Sequence, residues 1–237
     1  MQNRVFYINE EIDENANNLF LKYSGLNREG EKYKKMRKEA FLIKETVKSR
    51  VNIKAVVSYV EPVHIREKTL EVGGHIFQSN AFSRIDENSI KGAFVYVITA
   101  GDYELEEQPI LEQLYADIWG NSYVDVGRDV LKEKLLKLIA EDPWFVNLAG
   151  DKPLKLSDSF GPGFYGMDVA QVKELFEIQN GNEINVELKN SSVMVPIKSC
   201  AGLYLLADES YEELEPECAD CLGNVTSCKL CKIGRSE

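Results

Sequence analysis

The sequence predicts an α+β domain with a mostly antiparallel sheet, and three observations lead there. Helix-period segments come as neighbouring pairs rather than singly between strands. Short β-branched or alternating runs, some closed by glycine turns, outnumber clean strand–helix–strand units. Hydrophobic residues make up 44% of the 237 positions and charged residues 28%, ordinary globular usage that excludes disorder throughout and suits one large domain or two small ones.

Asn15 to Tyr23 reads as a short helix ended by Ser24-Gly25, because glycine accepts the left-handed turn that closes many helices. Glu29 to Arg50 is a longer candidate helix, with Tyr33, Met36, Ala40, Ile43 and Val47 at helical spacing. Lys34, Lys35, Arg37, Lys38 and Lys48 cover its other side, a solvated face rather than a docking surface. The β-branched run Ile53 to Val60 is a strand, and Thr69 to Phe77 is a hairpin turning at Gly73-Gly74. Ala93 to Ile98 is the most apolar run and the expected central strand. Two helices, Glu106 to Trp119 and Tyr123 to Ala140, are expected on either side of Gly120, with Asp142-Pro143 closing the second. A strand at Leu154 to Leu156 leads into a glycine-rich segment, after which Asp168 caps a helix reaching Ile178. Ile184 to Leu188, Ser192 to Val195 and Cys200 to Leu206 read as three closing strands, the last two joined across Pro196-Ile197-Lys198. After Ala207 the composition turns acidic and then cysteine-rich. The expected division is therefore a domain over residues 1–207 and an acidic linker with a metal-binding tail over 208–237.

Charge narrows the function. The net charge of -11 argues against a nucleic-acid binder, which needs a basic face to displace counterions. No apolar run approaches the length of about 20 residues that a membrane helix requires. The opening MQNRVFYINE lacks the features of a secretory signal, so the expected compartment is the cytoplasm.

Three segments can carry chemistry. Gly161-Pro162-Gly163-Phe164-Tyr165-Gly166 allows sharp turns, lets a ligand approach backbone N–H groups and supplies aromatic faces for a flat ring; an ordinary strand-to-helix turn would look the same. Its spacing matches neither G-x-x-x-x-G-K-[ST] nor G-x-G-x-x-G, which leaves nucleotide-phosphate binding little support. Thr99-Ala100-Gly101-Asp102 leaves the central strand, either toward a site or as a plain exit. Cys218, Cys221, Cys228 and Cys231 form two C-x-x-C pairs, the four soft ligands that zinc or an iron–sulfur cluster needs. The six residues between the pairs are fewer than the roughly 12 to 20 usual in zinc ribbons, which tilts the metal toward iron–sulfur. Cys200, alone in an apolar run, reads as an inert core thiol. The two histidines, His64 and His75, form no H-E-x-x-H, and no G-x-S-x-G elbow is present.

In order along the chain these segments resemble the activation domain of cobalamin-dependent methionine synthase in a short free-standing form. Leu19-Phe20-Leu21-Lys22-Tyr23-Ser24-Gly25 is similar to the family's opening helix end, and Ile98-Thr99-Ala100-Gly101 to its strand exit. Asp117-Ile118-Trp119-Gly120 resembles its D-x-x-G, Gly161-Pro162-Gly163-Phe164 the end of its R-x-S-P-G-Y motif, and Met194-Val195-Pro196-Ile197-Lys198-Ser199 its M-x-P-x-x-S hairpin. The resemblance implies a curved antiparallel sheet and a role in presenting S-adenosylmethionine to cobalamin on a partner corrinoid protein, with a flavodoxin-type reductant supplying an electron. It also implies ligand-binding roles for Ser159, Gly161, Pro162, Gly163, Phe164 and Tyr165, with no catalytic residue among them. Ser159 stands where the family has its carboxylate-holding Arg, and Phe164 where it has Tyr. The chain has no D-x-H-x-x-G segment, so cobalamin is expected only on the partner. The alternatives are a non-catalytic interaction module with a structural zinc tail, and a stand-alone methyltransferase, for which the sequence designates no general base.

Overall fold

The computed structural model covers residues 3–8, 12–103, 108–150 and 152–214. Along the chain run β1 (Arg4–Ile8), α1 (Asp13–Ser24), α2 (Glu31–Lys48), β2 (Ile53–Val60), β3 (Val63–Arg66), β4 (Thr69–Val72), β5 (His75–Gln78) and β6 (Ile90–Gly101). They are followed by α3 (Ile110–Glu141), α4 (Pro143–Ala149), β7 (Lys155–Leu156), α5 (Val172–Ile178), β8 (Glu187–Leu188), β9 (Met194–Val195) and β10 (Lys198–Ala207). The main sheet has the order β1-β2-β6-β10-β7, with every pairing antiparallel. It is curled, and the α+β class with an antiparallel sheet is as the sequence predicts.

The sheet is buried on both faces, which explains why its central strand reads as an unbroken apolar run rather than an alternation. Phe94, Tyr96 and Ile98 of β6 face the helices in one core, with Tyr204 of β10 and Trp119 of α3. Ala93, Val95 and Val97 face a second core, closed by the β3-β4-β5 sheet and α5. Register locks the arrangement: Val95 lies between Ser58 of β2 and Leu203 of β10, so a one-residue slip would exchange the two faces. In the helical core the ring of Phe20 on α1 stacks on Trp119 at 3.9 Å and 9°, while the indole N–H donates to the Ala40 carbonyl at 2.9 Å. The amphipathic spacing of α1 and α2 is thus used to cover α3.

Three expectations need correction. The two helices anticipated around Gly120 are one 32-residue helix, α3. Gly120 serves close approach rather than a break, since a Cβ there would lie 2.5 Å from the Tyr103 ring and 2.7 Å from Lys198 Cγ. Asp142-Pro143 ends the helix, as expected, and also starts α4, with the Asp142 carboxylate accepting from the Trp144 N–H at 3.0 Å. The Ile184–Leu188 strand shortens to β8, because a 3-10 turn over Asn182–Ile184 runs into Asn185 at φ 59. Finally, β9 pairs with β8, while β10 starts at Lys198 and pairs with β6 and β7.

The chain beyond Ala207 stays on the domain as far as Leu214. The Asp208 N–H donates to the Ser89 carbonyl at 2.9 Å, its carboxylate pairs with Lys91 at 2.8 Å, and Tyr211 is 5% exposed in the second core. Cys218, Cys221, Cys228 and Cys231 lie outside the described residues. Among the described residues no helix is long and apolar enough to cross a membrane.

Candidate functional site

A polar seam runs between α3 and β10, and most of the segments singled out in the sequence meet along it. At its first end the Lys198 side chain is buried, with its ammonium paired to Asp117 and 3.0 Å from Asn121 Oδ1. Beside it Ser199 Oγ lies 2.8 Å from Thr99 Oγ1 and donates to the Pro196 carbonyl at 2.6 Å. The Gly101 N–H donates to Thr99 Oγ1 at 3.1 Å. The stretches around Thr99, Asp117 and Lys198, far apart in the chain, are therefore one cluster. One turn along, the Tyr23 hydroxyl of α1 donates to Asp125 Oδ2 at 2.7 Å, which brings in the fourth stretch. Burial, with the Asp125 charge after it, raises the Tyr23 phenol above its ordinary value and keeps it a donor.

Arg128 is the centre of the far end. Its Nη2 lies 3.4 Å from Asp125 Oδ1, and its guanidinium carbon sits over the Phe164 ring at 5.0 Å. Asp117, Asn121, Asp125 and Arg128 fall at spacings of three or four, so helix geometry places them on one stripe. Around the guanidinium stand Tyr96 and Tyr204, stacked on each other at 5.1 Å and 24°. The Tyr204 hydroxyl donates to the Arg128 carbonyl at 3.1 Å, and the hydroxyls of Tyr96 and Ser159 are 2.6 Å apart. Burial works against the Arg128 charge, but it is outweighed and the guanidinium is raised above its ordinary value, with Asp125 the carboxylate at its side. Burial pushes the neighbouring Cys200 thiol up to about 11, which suits the inert role read from the sequence.

The glycine-rich turn lies flat on β10 because two glycines make room. A Cβ on Gly161 would come 2.8 Å from the Ala201 carbonyl, and one on Gly202 would come 2.6 Å from the Phe160 carbonyl. Phe160 and Leu203 then exchange two backbone hydrogen bonds, at 2.9 and 2.7 Å. Within the turn, Gly163 at φ +87 donates its N–H to the Met167 carbonyl at 3.0 Å, and Phe164 donates to Gly161 at 2.9 Å. Those two N–H groups are consumed internally, so the turn does not offer them as the backbone cradle the sequence suggested.

Of the six residues expected to hold a ligand, Ser159 and Phe164 face the seam, while Gly161, Pro162 and Gly163 shape the turn between them. Tyr165 is 4% exposed in the second core, its ring packed on Phe160 at 4.9 Å, and its hydroxyl donates to Asp158 at 3.2 Å. A small apolar recess lined by Phe6, Val57, Tyr59, Phe94, Leu135 and Leu138, with Arg4 at its edge, belongs to the helical core and does not include the turn. Among the described residues no group of three or more His, Cys, Asp or Glu is placed to hold a metal ion.

Arg128 went unread in the sequence because it precedes Ser159 by a whole helix and a strand. Only its place on the Asp117 stripe could have marked it. A planar guanidinium fixed on an aromatic ring, with 20% of its side chain exposed, is a group that takes a carboxylate in two parallel hydrogen bonds.

No protein-family model matches the chain, and no curated protein does. A solved structure does. The chain is similar to the crystal structure of the MetH reactivation domain bound to AdoHcy, with a TM-score of 0.63 over 92% of this chain and 81% of that one. The sequence identity is 12%, so the likeness establishes the fold.

Proposed function

We propose that this chain is a reactivation component for a cobalamin-dependent methyltransferase of the methionine synthase kind, presenting S-adenosylmethionine to a corrinoid held by a partner protein. The observation that carries the reading is Arg128. It supplies, from α3, a carboxylate-binding cation beside the turn where Ser159 leaves none, in a fold shared with a domain whose structure contains AdoHcy. The residues fit such a ligand: a guanidinium for the amino-acid carboxylate, the Phe164 ring that holds it in plane, and the Ser159 and Tyr96 hydroxyls beside it. When bound, S-adenosylmethionine supplies the methyl group, and a flavodoxin-type partner supplies the electron. The chain's own residues bind and orient, and none is assigned a proton transfer.

Titration calorimetry with S-adenosylmethionine and with AdoHcy tests this. Loss of a charge-assisted contact costs about 1.5–3 kcal/mol, so Arg128→Ala weakens binding about ten- to hundredfold. Arg128→Lys, which keeps the charge but loses the fork, falls between. Circular dichroism checks that both variants fold. Absence of wild-type binding to either ligand, or unchanged affinity in folded Arg128→Ala, overturns the assignment of the site. Unchanged reactivation of a cob(II)alamin-loaded methyltransferase on adding the wild-type protein overturns the role.

A further inference from the structure

We propose that the outward face of α2, formed by Lys34, Lys35, Lys38 and Leu42, docks an acidic protein whose carboxylates meet the three ammonium groups and whose apolar spot covers the leucine. Lys34, Lys38 and Leu42 follow one another at steps of four, and Lys35 stands three before Lys38, so helix geometry gathers all four on one side. All four are exposed, Leu42 to 63%. The opposite side of α2 is spent on the helical core, where Ala40 and Val47 have no exposed surface. As a sequence pattern the lysines are a solvated face. What changes this is the bare leucine among them and the carboxylates that they do not reach.

Charge defines what fits there. Residues 31–38 hold five cations and one carboxylate, in a chain whose net charge is -11. Elsewhere Lys91, Lys132, Lys152 and Lys198 each reach a carboxylate. Lys35 and Lys38 reach none among the described residues. Lys34 lies 3.8 Å from Glu31, with 73% and 92% of the two side chains exposed, and so open an ion pair contributes little. The backbone adds to the field: Gly30 at the N-cap offers no side chain to the first turn, so the positive end of the α2 dipole lies among the same lysines. The platform is also firmly seated. The Trp119 N–H donates to the Ala40 carbonyl at 2.9 Å, and Phe41 packs edge-on against that indole at 5.3 Å. Arg37 does not join the face, because it donates to the Leu26 and Arg28 carbonyls at 2.8 and 2.7 Å and ties down the loop before α2. The negative charge of the whole chain opposes a phosphodiester strand, whereas carboxylates around one apolar residue match both parts of the face.

Four probes are titrated into the full chain at low salt while backbone amide shifts are recorded: poly-L-glutamate, a random glutamate–tyrosine copolymer, a single-stranded oligonucleotide and phosphatidylglycerol vesicles. Both polypeptides are expected to shift amides of residues 31–42, with affinity that falls as salt rises and is higher for the copolymer. Lys34→Glu, Lys35→Glu and Lys38→Glu together should weaken both about tenfold or more, and the three Gln changes less. Reversing the exposed Lys68, Lys137 and Lys173 alters net charge equally and should change affinity no more than about twofold. Leu42→Ser should abolish the copolymer's advantage and leave poly-L-glutamate unchanged. Every substitution is at an exposed position, and the amide spectra show that each variant folds. Shifts centred away from α2, equal loss in the two reversal sets, or a copolymer advantage that survives Leu42→Ser overturns the docking face. Tighter binding of the oligonucleotide or the vesicles to α2 overturns the acidic-protein assignment. S-adenosylmethionine enters no arm of the test, so failure here is distinct from failure of the proposed function.

Discussion

Gly120→Ala separates two opposite views of one residue. If Gly120 were a break between two helices or an exposed helical position, alanine would stabilise the helix by about 1 kcal/mol through its better propensity. The structure opposes that gain. The new Cβ would sit 2.5 Å from Tyr103 Cδ2 and 2.7 Å from Lys198 Cγ, both well inside contact distance. Neither neighbour can swing aside cheaply. The Tyr103 hydroxyl is bonded to the Ala100 carbonyl, and the buried Lys198 ammonium is tied to Asp117 and Asn121. Overpacking of this kind costs about 1–3 kcal/mol and occasionally more, so the net effect is a loss of up to about 2 kcal/mol. For a chain of this size that lowers Tm by up to about 8 °C. Thermal and urea unfolding followed by circular dichroism read it directly. A rise in Tm would refute the close-packing argument and with it the placement of Lys198 in the seam.

Phe20→Ala removes the ring stacked on Trp119, in a site with no exposed surface, and is expected to cost about 3–5 kcal/mol in a urea titration. Hydrogen bonds from Lys91 first and the Ser210 hydroxyl second hold the Asp208 carboxyl down at about 2. A carboxyl lowered below its unfolded value contributes stability that is present above that value and lost on acidification. The wild-type advantage over Asp208→Asn in urea should therefore be constant down to about pH 5 and shrink between about pH 4 and 2. A difference that grows on acidification would contradict the anchoring of Asp208 by Lys91. In the native protein Cys200 is expected to resist alkylation at pH 8, where a thiol raised to about 11 is overwhelmingly protonated, and to react once urea unfolds the chain. Ready native labelling would remove it from its place between β6 and Arg128.

What could be read from the sequence depended on whether a residue's role was local. The run Ile53–Val60 is β2 to the residue, because β-branched alternation is a property of the strand itself. Gly73 and Gly74 do turn the hairpin, both at positive φ, since no other neighbour is needed to demand it. Arg4–Ile8 was missed: a five-residue edge strand is defined by its pairing with β2, about fifty positions away, and its own residues carry no turn signal. The same limit hid the site. Ser159 and Phe164 were named for their motif, but the Arg128 cation that makes them a candidate binding surface comes from another element. Tyr165, at φ 51, packs its ring on Phe160 in the second core, a placement that the motif alone does not reveal. Lys198 and Asp117 were each quoted in a resemblance, but their ion pair is a tertiary fact.

The order of strands also sets a schedule for assembly. β1, α1, α2, β2, β6 and α3 are all complete once residue 141 has left the ribosome, and together they hold Phe20, Trp119 and most of the helical core. β6 at that stage has one free edge, waiting for β10, in which Lys198 must find Gly101 and Leu203 must find Val95. Closing so long a loop is entropically costly, and long-range pairing of this kind is slow. Arg128 gains its stacking ring and the Tyr204 hydroxyl only when that strand and the preceding turn arrive. The nascent chain can thus acquire a helical scaffold well before it acquires anything resembling a binding surface, and until then an apolar strand edge stays exposed to neighbouring polypeptides.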